Sequence, residues 1–271
     1  MDFGIISRID HKEAYDIAKD IIDHMDQFAN ILVEEKTAEV LDLDNSIDSA
    51  PLEEMNVDTL ITVGGDGTIL RALQKIDATI FAVNMGRVGF LTEVPGERIH
   101  DYLDRLIEGD YAIEQRSKLR TLVNNEERVD AVNEAVIHTS QISKLRDFDI
   151  FIDDVHAENI RADGLIIATP TGSTCYAMSA GAPIIDPRVS AHVVVPIAPY
   201  KLSSRPLVVP STSVIKIRET EGRESILVID GQHEERIENY EIEFIRSPHT
   251  ARFIRFRKNF YDRVREKFLR G

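Results

Sequence analysis

A carboxylate lies among glycines in the stretch LITVGGDGTILRALQKI, residues 60–76. Glycines such as Gly65 and Gly67 let a backbone approach a phosphate closely and adopt positive φ angles. The stretch begins as an apolar run typical of a β-strand and continues as a helix, and a loop at such a junction in a parallel sheet binds anions with free N–H groups. The sequence therefore predicts a phosphate-binding loop. A tight turn with Asp66 or Thr68 as the helix cap is the alternative.

Asp66 places a negative charge in the middle of this loop, where an anion would otherwise bind. A general base must reach the proton that it removes, and the acceptor of a phosphoryl group is normally a hydroxyl. We therefore predict that Asp66 orients and deprotonates an acceptor hydroxyl, while the glycine amides and a metal ion hold the phosphates of the donor. The loop alone does not identify the acceptor.

Two further stretches place polar residues among apolar ones. Asn133 and Glu134 interrupt an apolar strand, and because consecutive strand residues point to opposite faces, at least one of the two faces the protein. A solvent-facing position is the alternative for a single Glu. In TPTGSTCYAMSAG, residues 169–181, small hydroxyl residues and glycines precede an Ala/Ser-rich helix start, where Thr171 or Ser173 could simply cap the helix.

With these motifs in this order, the sequence resembles the NAD kinase family over most of its length. The motifs that carry the resemblance are GGDGTIL at 64–70, NMGRVGFLTE at 84–93, NEAVI at 133–137, RADGLIIATPTGSTCYAMSAGAPII at 161–185, PIAPY at 196–200 and DGQ at 230–232. The first of them is moderately specific, because diacylglycerol, sphingoid and phosphofructokinases share Gly-Gly-Asp-Gly. The Asn-Glu pair together with the long block is highly specific.

The resemblance implies roles for individual residues. Asn133 is expected to bind the adenine of NAD and Glu134 the hydroxyls of the adenosine ribose, a carboxylate–diol contact known from dinucleotide folds generally. Asp163 is expected to contact the nicotinamide half. The other residues expected to bind the nucleotides are Gly65, Gly67, Thr68, Arg161, Thr171, Thr174, Cys175, Tyr176, Ala177, Met178, Ser179, Ala198 and Gln232.

Three more residues are candidates for contacts with the nucleotides. Arg71, one turn into the helix after the glycine loop, could meet a phosphate, and Lys144 is a weaker candidate for the same role. Phe90 is expected to lie against adenine, although a core position suits a phenylalanine equally well. The family usually has alanine where this chain has Cys175; because both side chains are small, we expect substrate binding to survive the difference.

The activity that the resemblance implies is transfer of the γ-phosphoryl group of ATP to the adenosine 2′-hydroxyl of NAD, which gives NADP. Mg²⁺ or another divalent cation would be held mainly through the ATP phosphates, and the assembly would be a homodimer or a homotetramer. Two alternatives stay open: a lipid or sugar kinase that shares the glycine loop, and a dinucleotide-binding sensor without catalysis.

The elements that must position these residues divide the chain in two. Residues 1–98 alternate strand patterns (FGIIS, NILVEE, DTLITV, TIFAVN) with helix patterns at 12–28 and 69–76, around an acidic, irregular stretch at 38–56. Residues 99–254 open with a helix and continue as short β-rich runs. We therefore predict an α/β fold: a Rossmann-like nucleotide domain at 1–98, a mostly β NAD-binding domain at 99–254, and a basic helix at 255–271 that packs back on the first domain.

Composition restricts the partners and the compartment. The 271 residues carry a net charge of −15, which disfavours a nucleic-acid partner because phosphate contacts need clustered Lys and Arg. No uncharged apolar run approaches the roughly 18 residues of a membrane-spanning helix, so no membrane partner is expected. The single cysteine favours a reducing cytoplasm.

Overall fold

The chain forms two compact units, Met1–Gln115 with Ala251–Gly271, and Arg116–Thr250. The computed structural model describes residues 2–43, 47–85, 89–256 and 260–269, without the side chain of Leu269. Parts of three sequence-predicted features lie outside the described residues: 44–46 of the irregular stretch, 86–88 of NMGRVGFLTE, and 257–259, 270 and 271 of the terminal helix.

The first unit is a parallel sheet with helices. Its elements are β1 (Phe3–Ser7), α1 (Lys12–Met25), β2 (Ile31–Glu34), α2 (Glu35–Leu41), β3 (Asp48–Ala50), β4 (Thr59–Gly64), α3 (Asp66–Leu73), β5 (Thr79–Asn84), β6 (Val94–Pro95) and α4 (Ile99–Glu108). The strands lie in the order β5, β4, β1, β2, β3, and every pair among them is parallel. The side chains of β1 and β4 are buried throughout, which explains their continuous apolar sequence.

Helix α4 extends the first unit beyond the predicted boundary at residue 98. Its buried residues Ile99, Leu103 and Leu106 recur at helical spacing and pack in the same core as the apolar face of α1. This packing places the boundary between residues 115 and 116, because a helix belongs to the unit that covers its apolar face.

Local structure differs from the sequence prediction at two places in the first unit. The stretch predicted to be irregular at 38–56 contains the end of α2 and the short strand β3, which pairs in parallel with β2. Helix α3 begins at Asp66 rather than at residue 69, so that the carboxylate lies in its first turn. Strand β3 buries none of its residues, and the first three residues of α3, 66–68, are not large apolar ones, so the hydrophobic pattern indicates neither β3 nor the true start of α3.

The second unit consists mostly of antiparallel strands. They are β7 (Ala112–Val123), which begins in the first unit, β8 (Glu126–Glu127), β9 (Glu134–Thr139), β10 (Arg146–Ile152), β11 (Val155–Ala162), β12 (Gly164–Ala168), then after α5 (Tyr176–Ser179) β13 (Ala191–Ile197), β14 (Leu207–Pro210), β15 (Ile215–Glu219), β16 (Ser225–Ile229), β17 (His233–Ile237) and β18 (Glu241–Arg255). One sheet has the order β14, β13, β12, β9, β16, β17, and a second contains β11, β10, β15 and the first part of β18.

The two sheets of this unit enclose a common apolar core. Ile137, Ile167 and Leu227 reach it from the six-stranded sheet, and Phe148 and Ile217 from the other. The opposite face of the six-stranded sheet is covered by the segment after β12, whose apolar residues form a second cluster with that face. The predicted α/β fold with a mostly β second domain is therefore confirmed.

The chain returns to the first unit at its end. Strand β18 continues to Arg255 and pairs in parallel with β5 through Arg252 and Phe253. Helix α6 (Phe260–Val264) and a π-helical turn (Arg265–Leu269) follow. The prediction of a single helix from residue 255 is thus wrong at its start, because Arg255 is the last of three consecutive buried residues that end strand β18.

Candidate functional site

The glycine loop leaves β4 at the carboxyl edge of the parallel sheet. Gly65 precedes α3, and the helix opens with hydrogen bonds from the N–H groups of Thr68 and Ile69 to the Gly65 carbonyl, at 3.1 and 3.4 Å. A Cβ added at Gly65 or Gly67 would meet no atom within 4 Å. The loop therefore presents backbone to open space at the N-terminus of a helix, which is the arrangement that accommodates a phosphate group.

The carboxylate of Asp66 accepts backbone hydrogen bonds from another loop. The N–H of Phe90 donates to Oδ2 at 3.0 Å, and the N–H groups of Leu91 and Thr92 donate to Oδ1 at 3.2 and 3.4 Å. Because a carboxylate oxygen has two lone pairs, Oδ2 keeps one that no described group occupies. Asp66 can therefore accept one further hydrogen bond without releasing the loop.

Arg71 points to a buried carboxylate. Its two terminal nitrogens donate to both oxygens of Glu34, at 2.9 and 3.2 Å, and Glu34 is only 3% exposed. Thr37 donates its hydroxyl to the same carboxylate at 2.8 Å. The guanidinium group of Arg71 is thus occupied by Glu34 at the end of β2, and the ion pair joins α3 to β2.

Phe90 is buried among aromatic rings of the first unit. Its ring centroid lies 5.4 Å from that of Phe268 and 6.4 Å from that of Phe260, and the Lys267 ammonium lies 4.4 Å from its centroid. This is the core position that the sequence left open as the alternative to contact with adenine.

In the second unit, Asp230 fixes the backbone of the Asn-Glu pair. Its carboxylate accepts the N–H groups of Val132 and Asn133 at 2.7 Å each, and that of Glu134 at 3.1 Å. Asp230 and Gly231 both have positive φ angles, 50° and 65°, which is the geometry of a type I′ hairpin turn and explains the Asp-Gly sequence there.

Gly172 and Thr169 hold the same segment from its other side. The N–H of Thr169 donates to the Asn133 carbonyl at 2.8 Å, and the Thr169 hydroxyl donates to the Val132 carbonyl at 2.6 Å. A Cβ at Gly172 would collide with the Asn133 carbonyl, so only glycine permits this approach. The block at 161–185 and the Asn-Glu pair are therefore parts of one local structure.

Each residue of the Asn-Glu pair has a buried oxygen without a hydrogen-bond partner among the described residues, Oδ1 of Asn133 and Oε2 of Glu134. Burial, followed by the nearby charge of Asp230, raises the pKa of Glu134 to about 8. Burial also raises the pKa of Asp230 to about 6, against the lowering effect of its three backbone hydrogen bonds. Such orphaned oxygens indicate a ligand that donates hydrogen bonds.

The segment after β12 presents several predicted residues near this pair. The Ser173 hydroxyl donates to the Pro170 carbonyl at 2.7 Å and accepts the N–H of Ile185 at 2.9 Å, which folds the segment back on itself. The residues so presented differ in exposure: Thr171, Thr174 and Ala177 are buried, Cys175 and Met178 are half-buried, and Tyr176 and Ser179 are exposed.

The remaining predicted residues of the second unit lie away from the Asn-Glu pair, with the exception of Gln232. Gln232 is exposed in the turn that holds Asp230. Asp163 and Ala198 lie together at the other end of β12 and β13, where the N–H of Asp163 donates to the Ile197 carbonyl. At about 3.3 Å per residue, the five-residue strand β12 separates them from the Thr171 end by roughly 16 Å. Arg161 is exposed at that same far end, and Lys144 is exposed in the loop before β10.

The sequence prediction assigned no role to three residues that help to build the surroundings of the Asn-Glu pair. Asp230 was quoted in a motif but given no role, although an Asp-Gly pair between two strand patterns signals a hairpin turn. Arg116 and Lys118, at alternate positions of β7, are buried cations: Arg116 lies 3.5 Å from the Thr171 hydroxyl, and the charge of Lys118 lowers the pKa of Asp230. The sequence does contain a signal for these two residues, because charged residues two positions apart in a strand point to the same face.

Two absences concern the described residues alone. No group of three or more His, Cys, Asp or Glu side chains in that part of the chain is arranged to hold a metal ion. None of the helices described is both long enough and apolar enough to cross a membrane.

Comparison with known proteins finds one family throughout. Residues 3–111 match the model of the ATP-NAD kinase N-terminal domain, and residues 132–256 that of the ATP-NAD kinase C-terminal domain. An NAD kinase of Methanothermobacter thermautotrophicus is 44% identical over 277 residues, covering 100% of this chain and 97% of that protein. An NAD kinase of Pyrococcus furiosus is 43% identical over 272 residues, covering 98% of each chain.

Solved structures give the same result. Yeast NADH kinase complexed with NADH aligns with a TM-score of 0.90 at 26% identity, covering 99% of this chain and 87% of the yeast chain. An NAD kinase from Archaeoglobus fulgidus in complex with ATP aligns with a TM-score of 0.79 at 29% identity, covering 98% of this chain and 99% of the other.

Proposed function

The chain belongs to the NAD kinase family, and on that premise we propose that it transfers the γ-phosphoryl group of ATP to the adenosine 2′-hydroxyl of NAD, giving NADP. The observation that carries the proposal is that two neighbouring buried oxygens, Oδ1 of Asn133 and Oε2 of Glu134, accept no hydrogen bond from any described residue. An adenine amino group and ribose hydroxyls are donors that would satisfy them.

Asp66 is the proposed general base. Its Oδ2 accepts one backbone N–H and keeps a lone pair for the acceptor hydroxyl, so the carboxylate can orient that hydroxyl and take its proton. Proton removal makes the 2′-oxygen nucleophilic as it attacks the γ-phosphorus in line, while the bond to the leaving β-phosphate oxygen breaks.

The glycine loop is proposed to bind the donor phosphates, because Gly65 and Gly67 face open space beside the N-terminus of α3. Mg²⁺ or another divalent cation is proposed to accompany ATP and to neutralise phosphate charge. Mg²⁺ commonly binds through substrate phosphates and only one or two carboxylates, so the cation is proposed to arrive with the nucleotide.

The other nucleotide contacts are proposed with different support. Tyr176 offers an exposed ring in the segment after β12 and is proposed to pack against the dinucleotide, and Asp163 with Ala198 is proposed to meet the nicotinamide half. Arg71 and Phe90 are engaged with Glu34 and with aromatic rings, so their proposed contribution is to hold the structure around the glycine loop.

We further propose a homo-oligomer in the cytoplasm. Edge strand β14 exposes 42% of Leu207 and 48% of Val208, which suits burial against a second copy of the chain. A single cysteine, Cys175, rules out a disulfide within the chain, which suits a reducing compartment.

The test is to incubate the purified protein with NAD and MgATP, measure NADP, and locate the new phosphate by phosphorus NMR. The expected product carries it on the adenosine 2′-oxygen. Phosphate on the nicotinamide ribose or at the adenosine 3′ position would contradict the assignment of Glu134. Phosphorylation of diacylglycerol instead of NAD would support a lipid kinase, and NAD binding without turnover would support a sensor.

A further inference from the structure

The loop that binds the Asp66 carboxylate is built around a glycine that cannot be replaced without displacement. Residues 89–92, here called the positioning turn, approach Asp66 so closely that a Cβ on Gly89 would collide with its Oδ1. The same Cβ would also lie 2.6 Å from the Thr92 hydroxyl oxygen and 2.9 Å from Asp66 Cγ. Real Cβ contacts of this kind do not occur, so any side chain at residue 89 must move either the turn or the carboxylate.

The positioning turn is closed by its own hydrogen bond. The N–H of Gly89 donates to the Thr92 hydroxyl oxygen at 3.2 Å. The next three N–H groups therefore point together at one spot, which the two oxygens of Asp66 occupy. Converging backbone N–H groups of this kind form a concave site for an anionic group.

Buried charges hold the turn from behind. Arg255 is 7% exposed and donates to the Leu91 carbonyl at 2.7 Å, and its Nε donates to Glu114 at 2.7 Å. Glu93, which follows the turn, accepts the N–H of Phe256 at 3.0 Å. The last part of β18 thus fixes the turn that holds Asp66, while Phe90 is fixed by the aromatic rings that follow.

We infer that the positioning turn sets the position and orientation of Asp66 for proton removal, and that Gly89 is a positioning residue whose missing side chain makes this possible. The inference rests on the function proposed for Asp66. Catalytic geometry tolerates little error: a displacement of about 1 Å can cost roughly 10²-fold in rate. Three backbone hydrogen bonds hold Asp66 in place while leaving one lone pair of Oδ2 for the substrate.

The test is the substitution Gly89→Ala, measured by kcat, by both Michaelis constants and by thermal unfolding. We expect kcat to fall by about 10- to 100-fold while both Michaelis constants stay within about threefold, because the change affects the base rather than substrate binding. Unchanged kcat would overturn the inference.

A double-mutant cycle with Asp66→Asn separates positioning from general damage. If Gly89 acts through Asp66, adding Gly89→Ala to Asp66→Asn lowers kcat by no more than about twofold, because the base is already absent. A further loss equal to that of Gly89→Ala alone would overturn the inference. Should Asp66→Asn by itself leave kcat unchanged, the proposed function of Asp66 fails, and the inference fails with it.

Thr92→Val provides a second route if Gly89→Ala does not fold. It keeps the shape of a buried side chain and removes only the oxygen that accepts the Gly89 N–H. We expect a smaller fall in kcat, about 3- to 10-fold, that likewise disappears in the Asp66→Asn background. Wild-type kcat for this folded variant, or a loss that persists in that background, would overturn the inference.

Discussion

Asp66 and Glu134 are two carboxylates with opposite surroundings. Three backbone N–H groups donate to Asp66. Oε2 of Glu134 is instead buried where no described group donates to it, and it lies near the charge of Asp230. The first arrangement keeps a carboxylate fixed, and the second leaves one in need of donors. The two residues are therefore suited to different tasks, the first to proton removal and the second to binding hydroxyls.

For Asp66→Asn, we expect turnover to fall by about 10²-fold or more, the typical contribution of a general base being 10² to 10⁴. NAD binding should remain close to that of the wild type. One N–H of the positioning turn also loses its acceptor, because the new amide NH₂ faces the N–H of Phe90 or its neighbours, so thermal stability should fall slightly. Stopped-assay kinetics, with NAD binding measured by calorimetry, check this; normal turnover would reduce Asp66 to a loop residue.

NAD binding should depend on pH through Glu134. Its pKa, raised to about 8, leaves it protonated at neutral pH, whereas ribose hydroxyls donate best to the ionised form. We expect the apparent affinity for NAD to rise from pH 6.5 to 8 and to level off above 8. Glu134→Gln should bind NAD more weakly and lack this dependence, while the Michaelis constant for ATP stays nearly constant. A wild-type affinity that does not change with pH would contradict the assignment.

The same substitution should stabilise the protein without ligand. A carboxyl whose folded pKa is raised binds more protons when folded, so its contribution to the free energy of unfolding falls as pH rises from about 4.5 to about 8. Glu134→Gln should therefore melt at a higher temperature than the wild type at pH 8, with the difference vanishing near pH 5. Thermal scans at the two pH values measure it, and equal melting temperatures at pH 8 would contradict it.

At the scale of elements, the ends of helices and hairpins determine where the chain can turn. Helix α4 ends at Gly109, whose φ is 75°, and the N–H groups of Gly109 and Asp110 bond back to the carbonyls of Leu106 and Arg105. Such a left-handed ending favours glycine because a Cβ meets the following carbonyl oxygen. The glycine therefore fixes the direction in which the chain leaves α4 for β7.

We expect Gly109→Ala to lower the free energy of unfolding by about 1–2 kcal/mol, the cost of a left-handed residue with a Cβ. Space does not limit the substitution, since a Cβ there meets no atom within 4 Å. Gly109→Asn, which tolerates this conformation better, is the matched control and should lose less. Urea denaturation measures both, and activity per folded molecule should not change. Equal stability of Gly109→Ala and the wild type would argue against a strained helix end.

At the scale of the whole molecule, a fall in pH changes the free energy of unfolding in two opposite directions, depending on the titrating group. Glu134 and Asp230 have raised pKa values, so their contributions favour the folded state at lower pH. His192 is fully buried in β13, and neither ring nitrogen has a partner among the described residues. Burial, and then the charge of Arg246, lowers its pKa to about 4. Its contribution is present above pH 6.5 and is lost as pH falls towards 4.

We therefore expect His192→Leu to reduce the acid sensitivity of the protein. Between pH 7 and 4.5 its melting temperature should fall less than that of the wild type, because leucine fills a similar volume and takes up no proton. His249→Gln, a change at an exposed histidine, is the control and should behave as the wild type does. Parallel acid dependence for His192→Leu and the wild type would show that His192 does not contribute to it.

Features that depend on local chemistry could be predicted from the sequence. Continuous apolar strands with intervening helices indicated the parallel α/β unit, and short β-rich runs indicated the second unit, because burial on one or two faces fixes the spacing of apolar residues. The glycine loop with Asp66 and the polar Asn-Glu pair were visible for the same reason. Each is a contiguous stretch in which an unusual residue type interrupts a regular pattern.

The contacts between groups distant in sequence could not be predicted and are seen only in the folded structure. The donors to Asp66 are backbone N–H groups about 25 residues away in sequence, and those to Asp230 lie about 97 residues away. Because every residue type except proline has a backbone N–H, the sequence does not identify these donors. Arg71 could have met a phosphate, but the fold places Glu34 within reach, and a buried carboxylate requires a cation. For Phe90 the sequence allowed both a contact with adenine and a core position, and the fold places its ring against those of Phe260 and Phe268. Partners distant in sequence are brought together by packing of the whole unit, which the pattern of a single stretch does not contain.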